Sequence, residues 1–197
     1  DDASMCLVGA DINLLNAWKY TAGDRRVVVA VVDGGIMTDH PDLKDNMWVN
    51  EAEQNGQMGI DDDSNGYVDD IYGLNTIEQN GNISWNNRRY DAEGNYIGDI
   101  GHGTHVAGII AAVNNNGEGI SSIAGGSGNG DGVRIMSVQI FKENTGVANE
   151  RIAAGIEYAA DMGAAILQCS WGQPVMWISD GGYEANTGSI YIAAIKY

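Results

Sequence analysis

The chain has 197 residues, a formal net charge of −17, 44% hydrophobic residues and 28 glycines. That length buries a substantial core as one domain or most of one, and the glycines speak for tight turns rather than disorder. The acidic excess opposes binding to nucleic-acid phosphates and to anionic membranes, and no apolar run reaches the length that spans a bilayer. The first residues lack a basic region followed by an apolar stretch, so a secretory signal is not expected among them.

In chain order, Asp11 reads as the cap of a short helix, INLLNAW, with Ile12, Leu15 and Trp18 on one side. Residues 21–26 read as a turn. Residues 27–33, VVVAVVD, form a continuous apolar run that stops on a carboxylate, the pattern of a parallel strand buried on both faces. Residues 48–55 read as a short helix and 55–75 as a loop rich in Gly and Asp. Residues 76–100 carry Trp and Asn without a period, and their length predicts a surface excursion. A helix of small residues is expected from His102 to about Asn114, then a glycine-rich loop over 117–132 and a strand over 133–140. A helix over 148–162 turns Ile152, Ile156, Tyr158 and Ala159 inward, Gly163 caps its end, and 164–170 form another strand. Residues 189–197 are apolar and unbroken and suit a helix better than a strand. This alternation predicts an α/β protein, a doubly wound parallel sheet flanked by helices.

A buried strand ending on Asp33 and a helix opening at His102 bring two polar side chains to one end of such a sheet, a usual place for chemistry. A histidine acting as general base, oriented by an aspartate, is the proton-handling half of a serine-hydrolase triad. Two other histidines read as structural: His105 lies inside the helix, and His40 belongs to a turn, DHPDL. A second cluster is GIDDDSNGYVDD, residues 59–70. It contains D-x-D-x-N-G, the opening of an EF-hand-type loop, at Asp61, Asp63, Asn65 and Gly66. Tyr67 offers a carbonyl, and Asp69 or Asp70 a further carboxylate. The twelfth position is Tyr72 rather than Glu, so the bidentate ligand must come from elsewhere. Ca2+ is the expected ion. The two cysteines, Cys6 and Cys169, are expected to be unpaired thiols, one of them in the core.

Three blocks carry a family resemblance: VVVAVVDGGIMTDHPDL at 27–43, GHGTHVAGIIAA at 101–112 and GAAILQCSWG at 163–172. In that order they resemble the Asp block, the His block and the buried strand with its substrate-lining segment in the subtilisin-like serine proteases, the subtilases. The resemblance runs over nearly the whole chain from about Asp11. It implies a subtilisin-like fold, incomplete at the C-terminus, with residues 1–197 as the N-terminal and central part of one peptidase domain. Asp33 then orients His102, and His102 serves as the base. The family usually has Ser or Thr after this Asp; Gly34 stands there, so one hydrogen bond to the carboxylate is expected to be missing. The segments Ser170, Trp171, Gly172 and Thr145, Gly146, Val147 are expected to line an extended peptide substrate, with Trp171 narrowing a pocket.

Neither the Gly-Thr-Ser-Met-Ala-type nucleophile block nor the Asn-Gly block of the oxyanion hole occurs before Tyr197. The resemblance therefore implies a chain inactive by itself, completed by a further C-terminal segment. It also implies structural calcium and a secreted, cell-surface or periplasmic setting. Asp42 and Asn115 match a second family calcium position loosely. The competing reading is a non-catalytic calcium- or peptide-binding module on the same scaffold. A nucleotide-binding α/β protein is disfavoured, because no phosphate-cradling glycine pattern opens a helix after Asp33.

Overall fold

The structure, a computed structural model, describes residues 9–85, 90, 92–95, 101–142, 148–172, 176–177 and 183–184. Its centre is a four-stranded, wholly parallel sheet in the order β2-β3-β1-β4. These strands are β1 (Val28–Asp33), β2 (Gly73–Asn75), β3 (Arg134–Gln139) and β4 (Ile166–Gln168). The helices are α1 (Leu14–Ala17), α2 (Glu51–Asn55), α3 (His102–Ala111) and α4 (Asn149–Asp161). A short antiparallel pair, β5 (Met176–Trp177) and β6 (Tyr183–Glu184), follows and was not read from the sequence.

All six residues of β1 are buried, as a strand covered on both faces requires. Alternate residues feed two cores. Val28, Ala30 and Val32 join Met136, Val138 and Leu74 under Ile152, Ile156 and Ala159 of α4. Val29 and Val31 join Ile135, Ile36 and Met47 under Ala107 and Ala111 of α3. Small residues on α3 let that helix approach the sheet closely. The expected α/β architecture, a parallel sheet with flanking helices, is what the chain forms.

Several local expectations are corrected. The first helix is a single turn capped by Asn13, a left-handed residue (φ 54°), while Asp11 accepts the Asn13 amide just before it. So short a helix has no packed side: Ile12 and Leu15 are 71% and 75% exposed. Trp48 is not helical; its amide donates to the Ile135 carbonyl and its side chain enters the core, so the helix starts at Glu51. The loop expected to run to Asn75 ends in β2. That strand lies so close to β3 that a Cβ on Gly73 (φ 128°) would stand 1.9 Å from the Ser137 carbonyl oxygen. Thr76, which opens the expected surface excursion, is buried and donates both N–H and Oγ1 to the Gln139 carbonyl, while residues 77–84 are half-buried or exposed. At the end of α4, Gly163 (φ 82°) donates to Ala160 and Ala164 to Ala159, closing the helix as expected. Cys6, Thr145, Gly146, Val147 and residues 189–197 lie outside the described residues.

Candidate active site and acidic loop

Asp33 ends β1 at the carboxyl end of the sheet and is 2% exposed. A carboxylate buried there is costly unless its oxygens are paired. The Gly34 amide donates to Oδ1 at 2.7 Å, and His102 Nδ1 stands 2.9 Å from both Oδ1 and Oδ2. The Gly34 bond comes from the backbone, which any residue at that position offers, so it is separate from the side-chain hydroxyl bond that Gly34 cannot make. An ionised carboxylate only accepts, so Nδ1 carries the proton and Nε2 is the free basic nitrogen. The imidazole opens α3 and is 39% exposed, so a base next to solvent is held by a buried acid.

The backbone around this pair is close-packed. A Cβ on Gly103 would lie 2.4 Å from the Gly35 carbonyl oxygen and 3.2 Å from Asp33 Oδ1. The Thr104 hydroxyl accepts the Met37 amide at 3.0 Å, tying the turn after Asp33 to α3. His40 keeps to its own turn, where Nδ1 accepts the Asp42 amide, and His105 lies exposed on the helix. Beside α3 there is an apolar cleft of about 680 Å³ lined by Met37, His40, Trp85, Thr104, His105 and Ile120.

Ser170, Trp171 and Gly172 follow β4 at the same end of the sheet. Ser170 and Gly172 are exposed, and Ser170 Oγ accepts from Gln168. The half-buried Trp171 indole donates to the Val32 carbonyl at 2.8 Å and meets Phe141 edge to face. Trp171 is therefore braced against the end of β1 beside Asp33. Cys169 is unpaired and exposed; partial desolvation and then the Asp33 charge push its thiol up.

The acidic loop folds back on α2. Glu53, buried at 4% exposure, brings an oxygen within 4.8 Å of oxygens on Asp61 and Asp63, and the three can hold a metal ion. An all-carboxylate donor set suits a hard cation such as calcium. Gly66 takes φ 96° at the sharp turn that lets the alternate carboxylates converge. Asp61 accepts the Asn65 and Gly66 amides, and Tyr67 donates its amide to Asn65. Asp69 turns away and accepts the Gly59 amide with both oxygens. Asp70 is buried inside the protein, where Tyr158 Oη donates to its Oδ2 at 2.5 Å, joined by Asn65 and Asn50. Burial pushes the Asp70 carboxyl up, against the pull of the Tyr158 and Asn65 bonds. The Tyr158 phenol is raised by burial and then by Asp70.

Sequence reasoning missed Glu53, Asn50 and Tyr158. The Glu-Ala-Glu of α2, just before the loop, is the one local signal for Glu53. Asp42, the looser calcium candidate, accepts from Asn116 Nδ2 and the Ile120 amide. Its suggested companion Asn115 instead donates to the Ser127 carbonyl.

Comparison with known proteins identifies the family. Residues 24–197 match the Subtilase family. Subtilisin-like protease 1 of Plasmodium vivax is 46% identical over 122 residues, 60% of this chain and 17% of that protein. Thermitase of Thermoactinomyces vulgaris is 30% identical over 184 residues, 90% of this chain and 50% of its own length. Among solved structures, fervidolysin from Fervidobacterium pennivorans, a keratinolytic enzyme related to subtilisin, aligns over 96% of this chain and 22% of its own, at 26% identity and TM-score 0.54. The nisin leader peptidase NisP from Lactococcus lactis aligns over 92% and 43%, at 26% identity and TM-score 0.53. The chain thus spans half or less of each of these relatives. Its ordered blocks, its parallel sheet with flanking helices and its match over residues 24–197 make this chain a member of the subtilase family.

Proposed function

We propose that this chain carries the acid–base half of a serine endopeptidase. The observation that carries the reading is His102 Nδ1 held 2.9 Å from both oxygens of a buried Asp33. Nε2 takes the proton from a serine hydroxyl as that oxygen attacks the scissile carbonyl, then delivers it to the leaving amine. Asp33 keeps the imidazole in the Nδ1–H tautomer and stabilises the imidazolium between those steps. The nucleophilic serine is proposed to lie outside the described residues. An extended peptide binds along Ser170, Trp171 and Gly172; the family resemblance adds Thr145, Gly146 and Val147, which lie outside the described residues. Among the described residues no helix is long and apolar enough to cross a membrane. A relative named as a halolysin-like extracellular serine protease, from Natrialba magadii, supports an extracellular setting.

Calcium is the proposed structural ion of the acidic loop, held by Glu53, Asp61 and Asp63, with Asn65 hydrogen-bonded to both aspartates. Bound there, it neutralises clustered carboxylates and pins the loop to α2; it takes no part in proton transfer.

The test is hydrolysis of a quenched fluorescent peptide by the full-length protein. His102→Ala is expected to lower kcat/KM by roughly 10⁴-fold or more with its thermal transition preserved. Undiminished turnover in that variant overturns the reading.

A further inference from the structure

Gln139 ends β3 beside Asp33, its register partner on β1, and is 1% exposed. A buried carboxamide is tolerated when its hydrogen-bonding groups are used. Here Oε1 accepts the Ser84 amide at 2.8 Å, while Nε2 donates to Ser84 Oγ at 2.8 Å and to the Phe141 carbonyl at 3.0 Å. The two-point grip on Ser84 sets that residue's orientation as well as its position. Ser84 in turn covers Gly35: a Cβ there would lie 2.5 Å from the Ser84 carbonyl oxygen and 3.2 Å from the Gln139 carboxamide carbon. The Gly35 carbonyl abuts Gly103, the residue after His102. A close-packed series, Gln139 to Ser84 to Gly35 to Gly103, therefore runs alongside the Asp33–His102 pair. The segment bearing Ser84 is held down at two more points, by Thr76 on the Gln139 carbonyl and by the Lys142–Glu78 ion pair at 2.9 Å.

We infer that Gln139 is a positioning residue for the proton-transfer pair: it clamps residues 76–84 onto the turn after Asp33 and so holds that turn against the start of α3. The inference rests on the proposed function and deepens it. Gln139 touches neither substrate nor His102; it acts through the packing of Ser84 and Gly35.

The experiment uses the full-length protein with Gln139→Leu and Ser84→Ala, each alone and combined with Asp33→Asn. Gln139→Leu is expected to lower kcat roughly 10- to 100-fold with KM within about twofold, because misplacement of order 1 Å costs rate rather than binding. Ser84→Ala, which removes one bond of the grip and keeps the fold, is expected to lower kcat about threefold. In the Asp33→Asn background both losses should shrink to less than about twofold, since the pair they position is already broken. A purely structural role gives the same factor in both backgrounds, and that result overturns the proposal, as does undiminished kcat in folded Gln139→Leu. Should Gln139→Leu not fold, the Ser84→Ala cycle decides alone. The downfield proton resonance of His102 Nδ1–H provides a readout independent of turnover. It is expected to shift or broaden in both variants. If the wild-type protein cleaves no peptide, the proposed function fails; the resonance then decides, and an unaltered signal in both variants overturns the role of Gln139.

Discussion

Gly103 lies so close to Gly35 that a methyl group on it would stand 2.4 Å from the Gly35 carbonyl oxygen. Two sequence blocks 69 residues apart at Asp33 and His102 are brought into hydrogen-bonding range by this backbone approach. The glycine after the histidine is therefore a geometric requirement of the pair, not a filler of the motif.

Gly103→Ala sets two effects against each other. Replacing a helical glycine by alanine gains up to about 1 kcal/mol of helix propensity. Forcing a methyl group against a backbone carbonyl costs about 1–3 kcal/mol and moves α3 away from β1. The expected outcome is a small net loss of stability with a drop in kcat of roughly 10²-fold, read by calorimetry and steady-state kinetics on the same preparation.

Asp33→Asn should preserve the shape of the site while undoing its tautomer. An asparagine amide can donate towards Nδ1, which places the ring proton on Nε2 and removes the base. A kcat lower by roughly 10⁴-fold at neutral pH, with little change in melting, is the expected result.

Calcium should raise the thermal midpoint. At about 100 times its Kd a ligand adds about 2.7 kcal/mol to the folded state, or roughly 5–10 °C for a domain of this size. Scanning calorimetry with calcium and with a chelator should show this shift shrinking in Glu53→Gln. Asp69→Asn should retain it, because Asp69 is not part of the Glu53, Asp61 and Asp63 cluster.

Tyr158→Phe removes the phenol that donates to buried Asp70 and is expected to cost about 1–3 kcal/mol. The pH dependence has a definite sign. Burial raises the Asp70 carboxyl, so the native state binds its proton more tightly than the unfolded chain does. That contribution to stability falls as pH rises from the ordinary carboxylate range through the raised value. Losing the Tyr158 bond raises the carboxyl further, so the gap between wild type and variant should widen as pH rises through that interval. Chemical denaturation in chelator at a series of pH values measures the gap.

Cys169 should be a sluggish thiol. Partial desolvation and the nearby Asp33 charge favour its protonated form, and the thiolate is the nucleophile. Mass spectrometry of iodoacetamide labelling near pH 8 should give a rate below that of a free peptide thiol, rising in Asp33→Asn. Equal rates in wild type and variant would remove Asp33 as a cause.

The chain itself determined the elements whose information is local. The β-branched run into Asp33 reads as a doubly covered strand, α4 shows its inward positions by helical spacing, and GHGTHVAG and DDDSNG mark the candidate sites in consecutive residues. Tertiary structure alone decided what depends on distant partners. β2 has no strand pattern and exists because Gly73 lets its backbone meet the Ser137 carbonyl. Gln139 grips Ser84 across 55 residues, Tyr158 reaches Asp70 across 88, and Glu53 enters the acidic loop from a separate helix. Periodicity and short motifs record what a residue does to its neighbours in the chain. A buried amide, phenol or carboxylate is satisfied by whichever groups the packed sheet and helices bring within about 3 Å, and that proximity is written only in the folded molecule.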